Sequence, residues 1–123
     1  ELGVTANTQS LWACNEPQMR ELTVPIMGVE RAATQYPFAS IQRSNGAVDA
    51  ATDAHPRLCS GSDWPVSTPD PWAAIHVAVN RQLPADDPEF DPEPLLPHEA
   101  LTLAEALDAY VARRKAEGGA PMN

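Results

Sequence analysis

Residues 57–67 read RLCSGSDWPVS and are the most informative stretch of the chain. The first part is short and apolar and indicates a buried strand, which ends at Gly61 and the carboxylate of Asp63. A rigid turn through Trp64 and Pro65 comes next. In barrels of alternating strands and helices, active sites are built at the carboxyl ends of the strands. Asp63 is therefore a candidate metal ligand or general base, although the spacing alone favours an aspartate that only caps the turn.

Two helices are predicted after this strand. In the first, Asp70 suits the N-cap, Pro71 suits the first helical position and Pro84 is expected to end the helix. Its predicted apolar face comprises Trp72, Ile75, Val79 and Leu83. Residues 85–97 are acidic and rich in proline, without periodicity, and predict a loop.

The second helix has the clearest pattern in the chain. Thr102 and Glu105 have the spacing of a capping box, in which each side chain binds the backbone N–H of the other residue. Gly118 and Gly119 are predicted to end this helix. Its predicted apolar stripe comprises Leu103, Ala106, Leu107, Tyr110 and Val111.

The N-terminal half gives weaker signals. Residues 2–12 predict a strand that runs into a loop, because they combine β-branched residues with small and polar neighbours. Residues 15–28 contain two prolines and predict a loop. Residues 29–45 have a weak helical pattern that is interrupted at Tyr36-Pro37, and Asn45-Gly46 predicts a turn. Residues 47–56 carry no clear pattern.

The order strand, helix, strand, helix predicts an α/β fold with parallel strands. Only two strands are recognisable, and a two-stranded parallel sheet that must be covered on both faces is not a stable unit. The pattern therefore predicts that the chain forms part of a larger structure.

Composition excludes several classes of function. The 123 residues carry a net charge of −9, and the eight basic residues are scattered, which argues against a nucleic-acid partner. No apolar run is long enough to span a membrane. Cys14 and Cys59 are the only cysteines. They could form one disulfide, but two free thiols are the favoured alternative. Because no signal peptide is recognisable, we expect a cytoplasmic location.

Several segments, taken in order, resemble the amidohydrolase superfamily. The similarity is strongest to the branch that includes N-substituted formamide deformylase-like enzymes. The first two segments resemble the seventh barrel strand and the region after it, and the others resemble the last strand and its helices. They are GVTANTQSLW at 3–12, GVERAATQYPF at 28–38, GSDWPVS at 61–67, PDPWAAIHVAVNR at 69–81 and LTLAEALDAY at 101–110.

The resemblance implies the C-terminal portion of a (β/α)8 barrel, with strands 7 and 8 and the following helices. It also implies one or two divalent metals, usually zinc, and hydrolysis of carbon–nitrogen bonds in small-molecule substrates by a metal-activated water. Asp63 matches the family's aspartate after the eighth strand. It would help to hold the metal, take the proton from the water and pass it to the leaving amine.

The chain departs from the family in its histidines. His55, His76 and His98 are the only three, and none is paired at ligand spacing, whereas a catalytic zinc uses about three protein ligands. Helix packing or a helix hydrogen bond is the simpler role for His76, and His55 and His98 are expected to be solvated. Trp64 is a candidate substrate-binding residue because it adjoins Asp63, with core packing as the alternative.

These observations divide the chain into a barrel fragment, residues 1–117, and a flexible tail, residues 118–123. We expect the fragment to work only with the rest of the barrel as its partner and to be inactive alone. The alternative is a truncated, non-catalytic fragment or structural partner. A homo-oligomer of this chain is a further alternative that the sequence leaves undecided.

Overall fold

The computed structural model describes residues 5–43 and 58–111. The strands are β1 (Ala6–Thr8) and β2 (Leu58–Ser60). The helices are α1 (Val24–Met27), α2 (Val29–Ala32), α3 (Phe38–Arg43), α4 (Pro71–Asn80) and α5 (Leu103–Val111). The predicted turn at Asn45-Gly46, residues 47–56, the helix end at Gly118 and the tail at 118–123 lie outside the described residues.

The two strands form a parallel pair, in which Ala6 lies opposite Leu58 and Thr8 lies opposite Ser60. This confirms the prediction of parallel strands. Because the strands are parallel, both carboxyl ends lie at the same edge of the sheet. Placing the strands as the seventh and eighth of a barrel stays a prediction.

One face of the sheet packs against the helices, and the other is not covered by any helix within the described residues. Leu58 is buried in the core, and Ala6 packs against the same core. The core also contains Ala13, Cys14, Phe38, Ile75, Val77, Ala78, Leu101, Ala106 and Ala109. Successive residues of a strand point to opposite faces. Asn7 is accordingly exposed, and Cys59 is half-buried on the same face.

Helix α4 begins as predicted and ends earlier than predicted. The Asp70 carboxylate accepts a 2.9 Å hydrogen bond from the Trp72 backbone N–H, which confirms the N-cap. The helix ends at Asn80 because Arg81 adopts the left-handed conformation, with φ of 58°, so Pro84 is not the terminator. The predicted apolar face is displaced as well. Trp72 is mostly exposed, and the buried residues are Ala74, Ile75, Val77 and Ala78.

Helix α5 has the predicted capping box. The Glu105 carboxylate accepts a 2.8 Å hydrogen bond from the Thr102 backbone N–H, and the Thr102 hydroxyl accepts one of 3.2 Å from the Glu105 N–H. The stripe differs from the prediction because its two ends, Leu103 and Val111, are exposed. Small residues, Ala106 and Ala109, form the buried centre and let the helix approach β2 closely.

The prediction of a loop at residues 15–28 is wrong. The chain is helical from Pro17 through α1, with a π-helical stretch at Met19–Thr23. Pro17 stands at the start of the helix, where its missing N–H costs nothing. The wider π turn ends at Thr23, two residues before Pro25, and is the kind of distortion that accommodates a ring inside a helix. The interruption between α2 and α3 and the loop after α4 are as predicted.

Candidate functional site

The carboxyl edge of the strand pair is held by backbone and side-chain hydrogen bonds. The Gly61 N–H donates to the Thr8 carbonyl over 2.9 Å, which extends the pairing beyond β2. Just beyond that point the hydroxyls of Ser10 and Ser60, both buried, lie 2.9 Å apart and share a hydrogen bond. This hydrogen bond joins the two strand ends and gives each buried hydroxyl a polar partner. The turn that carries Asp63 therefore starts from a fixed strand end.

Asp63 lies in this turn in the left-handed conformation, with φ of 58°. Its backbone carbonyl accepts a 2.8 Å hydrogen bond from the Val66 N–H, which closes the turn. The side chain of Ser62, rather than that of Asp63, accepts from the Trp64 N–H over 3.2 Å. The Asp63 carboxylate is exposed and makes no hydrogen bond to another residue within 5–43 and 58–111. It does not cap the turn and is available to solvent and ligands.

Trp64 is 66% exposed and follows Asp63 directly. It does not pack in the core, which was the alternative to a substrate-binding role. The Trp64–Pro65 peptide bond is cis. Val66 and Trp72, in the same turn and at the start of α4, are exposed as well. Two exposed apolar side chains, Trp64 and Val66, therefore follow Asp63 in the turn.

Two of the three histidines have the roles expected of them. His76 is half-buried on α4, and its ring Nδ1 lies 3.3 Å from Asn80 Nδ2, at hydrogen-bonding distance. His98 is exposed. His55 lies outside the described residues.

The described residues contain no group of three or more His, Cys, Asp or Glu side chains that could hold a metal ion. Asp63 alone supplies one oxygen ligand, whereas a catalytic zinc uses about three protein ligands. The part of the chain that is described thus does not fit a complete metal site.

A cavity of about 230 Å³ opens beside the first turn of α4, between the segment after β1 and the acidic loop. Its walls include Trp12 and the carboxylates of Glu16 and Glu89. Burial, and secondly the negative charge of Glu89, raises the pKa of Glu16. Cys14 also lines this cavity, and burial raises the pKa of its thiol to about 12. The thiol therefore stays protonated at neutral pH and is not a nucleophile.

The sequence did not indicate the roles of Arg81 and Ser10. The structure buries Arg81 and pairs Ser10 with Ser60 at the strand ends. The Arg81 side chain is fully buried, although arginine is usually solvated, and nothing in the spacing around it indicates this. Ser10 and Ser60 lie about fifty positions apart in sequence, so their pairing follows only from the register of the strands. No helix within the described ranges is long and apolar enough to cross a membrane.

The chain is similar to a known protein family. The model of the family described as "Amidohydrolase family" matches residues 1–116, which is nearly the whole chain. No curated protein and no solved structure matches.

Proposed function

The chain belongs to the amidohydrolase family, and we propose that it forms part of a metal-dependent hydrolase that cleaves non-peptide carbon–nitrogen bonds. The proposed substrates are small molecules such as amides or formamides, as in the N-substituted formamide deformylase-like branch. The observation that carries the proposal is the Asp63 carboxylate, which lies in the turn after β2 at the carboxyl edge of a parallel strand pair and is free of hydrogen bonds within the described ranges.

Position and availability support this role for Asp63. In α/β barrels the reacting groups extend from the carboxyl ends of the strands, which is where this turn lies. A carboxylate that accepted backbone N–H groups would be committed to the turn. Here Ser62 accepts the Trp64 N–H instead, and the carboxylate can face a ligand.

Asp63 would act as a general base and then as a general acid. It accepts a proton from the attacking water as the new C–O bond forms at the substrate carbonyl carbon. It then returns that proton to the nitrogen as the C–N bond breaks, and the products are a carboxylic acid and an amine. Such proton transfers typically contribute about 10²–10⁴-fold in rate.

Family membership also implies a divalent metal, for which we propose zinc. A bound zinc would supply Lewis-acid chemistry at this edge. The described residues contribute Asp63 only, so the remaining ligands would come from other strands of a complete barrel. We therefore propose that the rest of the barrel is the obligatory partner of this chain, and that Trp64 contacts the substrate beside Asp63.

A second candidate, a non-catalytic fragment or structural partner, is favoured by one observation. The described residues do not assemble three metal ligands. Both candidates make the same prediction for the purified 123-residue chain, which is that it holds zinc weakly. Metal analysis after dialysis against zinc-free buffer should find well below one zinc per chain. Zinc held at one equivalent would show that the chain contains a complete site by itself and would contradict both candidates in their present form.

Paired substitutions test the leading proposal in the complete enzyme that carries this segment. Asp63→Asn keeps the shape of the side chain but cannot carry the proton, so we expect turnover to fall about 10²–10⁴-fold with little change in substrate binding. Asp70→Asn is the matched control, because asparagine caps a helix nearly as well as aspartate. Rates are measured at saturating metal. Equal activities of the two variants would leave Asp63 without a chemical role.

A further inference from the structure

We propose that Asn7 is a substrate-binding residue whose carboxamide donates a hydrogen bond to the carbonyl oxygen of the amide substrate. This inference rests on the proposed function, because it assigns Asn7 to the same site as Asp63. It goes beyond that function by naming the group that holds the substrate carbonyl.

The first observation is where the Asn7 side chain lies. Asn7 is the central residue of β1 and pairs with Cys59 on the face that the described helices leave uncovered. A methyl group placed on Gly61 would lie 3.8 Å from Asn7 Oδ1, so the carboxamide lies beside Gly61. Asp63 follows Gly61 by two residues, and its Cα is thus no more than about 7.6 Å from that of Gly61.

The second observation is the choice of residue. Asparagine is depleted in strands, where β-branched and aromatic side chains are preferred. Asn7 nevertheless lies in the middle of β1 and is exposed. Its carboxamide makes no hydrogen bond to any residue in the described part of the chain. A local rule that is broken without a structural reason often marks a functional position.

Chemistry then selects the ligand. A carboxamide has two N–H donors and one acceptor oxygen and carries no charge. It suits the neutral carbonyl of an amide, whereas an anionic ligand is generally held by arginine or lysine. A donor held at the reacting carbonyl also stabilises the negative charge that develops on its oxygen during attack. Asn7 would therefore hold the carbonyl while Asp63 transfers the proton.

Nuclear magnetic resonance on the full 123-residue chain, labelled with ¹⁵N and titrated with N-methylacetamide, tests this proposal without requiring turnover. We expect the Asn7 side-chain NH₂ resonances to shift and to saturate. Asn15 and Asn80 serve as controls in the same spectrum. Their carboxamides already donate to the Glu93 and His76 carbonyls, over 2.7 and 3.0 Å, so their resonances should not move.

The variant Asn7→Asp keeps the shape and removes both donors, so binding of N-methylacetamide should weaken about five-fold. If the backbone spectrum shows that this variant is misfolded, Asn7→Val, which has no side-chain donor and suits a strand, replaces it in the same comparison. Unchanged affinity in a folded variant, or equal shifts at all three asparagines, would overturn the assignment. Asp63→Asn could abolish turnover in the complete enzyme while the Asn7 resonances do not shift in this titration. In that case only the assignment of Asn7 fails, and the proposed function stands. If instead the Asn7 resonances shift and saturate while Asp63→Asn leaves turnover unchanged, Asn7 remains a binding residue and the hydrolytic role of Asp63 is rejected.

Discussion

Arg81 shows how one buried charge can join three segments of this chain. Its Nε donates to the Leu95 carbonyl over 2.8 Å, and one terminal nitrogen donates to the Tyr36 carbonyl over 3.3 Å. The guanidinium carbon lies 5.2 Å from the centre of the Phe38 ring, within the range of a cation–π contact. Desolvation lowers the pKa of Arg81 to about 10, which still leaves the side chain charged at neutral pH. The acidic loop is thereby attached to α4 and to the segment before α3.

Replacing this arginine should destabilise the fold strongly. Arg81→Met removes the donors to a buried carbonyl of Leu95 and a partly buried carbonyl of Tyr36, which we expect to lower the free energy of unfolding by about 2–4 kcal/mol. Arg31→Met, at an exposed position on α2, is the matched control and should change it by less than about 0.5 kcal/mol. Urea denaturation followed by circular dichroism measures both. Similar unfolding midpoints for the two variants would show that the buried hydrogen bonds of Arg81 contribute little.

At the residue scale the sequence predicted the position of Asp63 but not that of Asn7. The position of Asp63 after a buried strand follows from local pattern, because the strand, the glycine and the proline turn are contiguous. The position of Asn7 beside Gly61 follows only from the register of the two strands. Contacts between distant segments depend on how strands and helices pack, and no spacing within one segment encodes them.

The elements follow the sequence where capping chemistry is local and depart from it where tertiary contacts intervene. The N-cap at Asp70 and the capping box at Thr102 were predictable, because each involves residues within one helical turn. The end of α4 was not, since Arg81 leaves the helix where its side chain binds Leu95 and Tyr36. The helix that contains Pro25 was missed because a π turn tolerates what an α-helix does not.

The capping box of α5 predicts how much it stabilises the fold and how that stabilisation depends on pH. Hydrogen bonds from the backbone N–H and then from the hydroxyl of Thr102 lower the pKa of Glu105. Because the folded pKa is depressed, the stabilisation is present above the unfolded value of about 4.3 and is lost as the pH falls through the folded pKa.

At neutral pH, Thr102→Ala should cost about 1 kcal/mol. Thr34→Ala is the control, because that exposed hydroxyl donates to a carbonyl at a helix end and satisfies no N–H group. The stability difference between wild type and Glu105→Ala should shrink as the pH is lowered from about 6 to about 3. Urea midpoints across this range give the measurement, and a difference that stays constant with pH would contradict the carboxylate's part in the box.

At the scale of the whole molecule, the described sheet has two strands and helices on one face only. Parallel sheets are normally covered on both faces, and strand edges without a partner tend to pair with other chains. This arrangement agrees with the family match, since a barrel would supply strands at both edges and enclose the face that carries Asn7 and Cys59. A closed barrel itself remains a proposal for this chain.

The last prediction is that the purified chain associates through the open edges of its strands, beside the uncovered sheet face. Cys59→Lys places a charge on that face, and a charge pointing inward on a sheet opposes edge-to-edge pairing, so we expect this variant to associate less than wild type. Ile26→Lys removes a comparable apolar group from α1, where Ile26 is exposed away from the sheet, and should leave association unchanged. Sedimentation under reducing conditions, over a range of concentrations, compares the three proteins. A wild-type chain that stays monomeric and unfolds in one sharp cooperative thermal transition would instead indicate a self-sufficient fold, because a sheet that needed further strands would neither remain monomeric nor unfold so sharply.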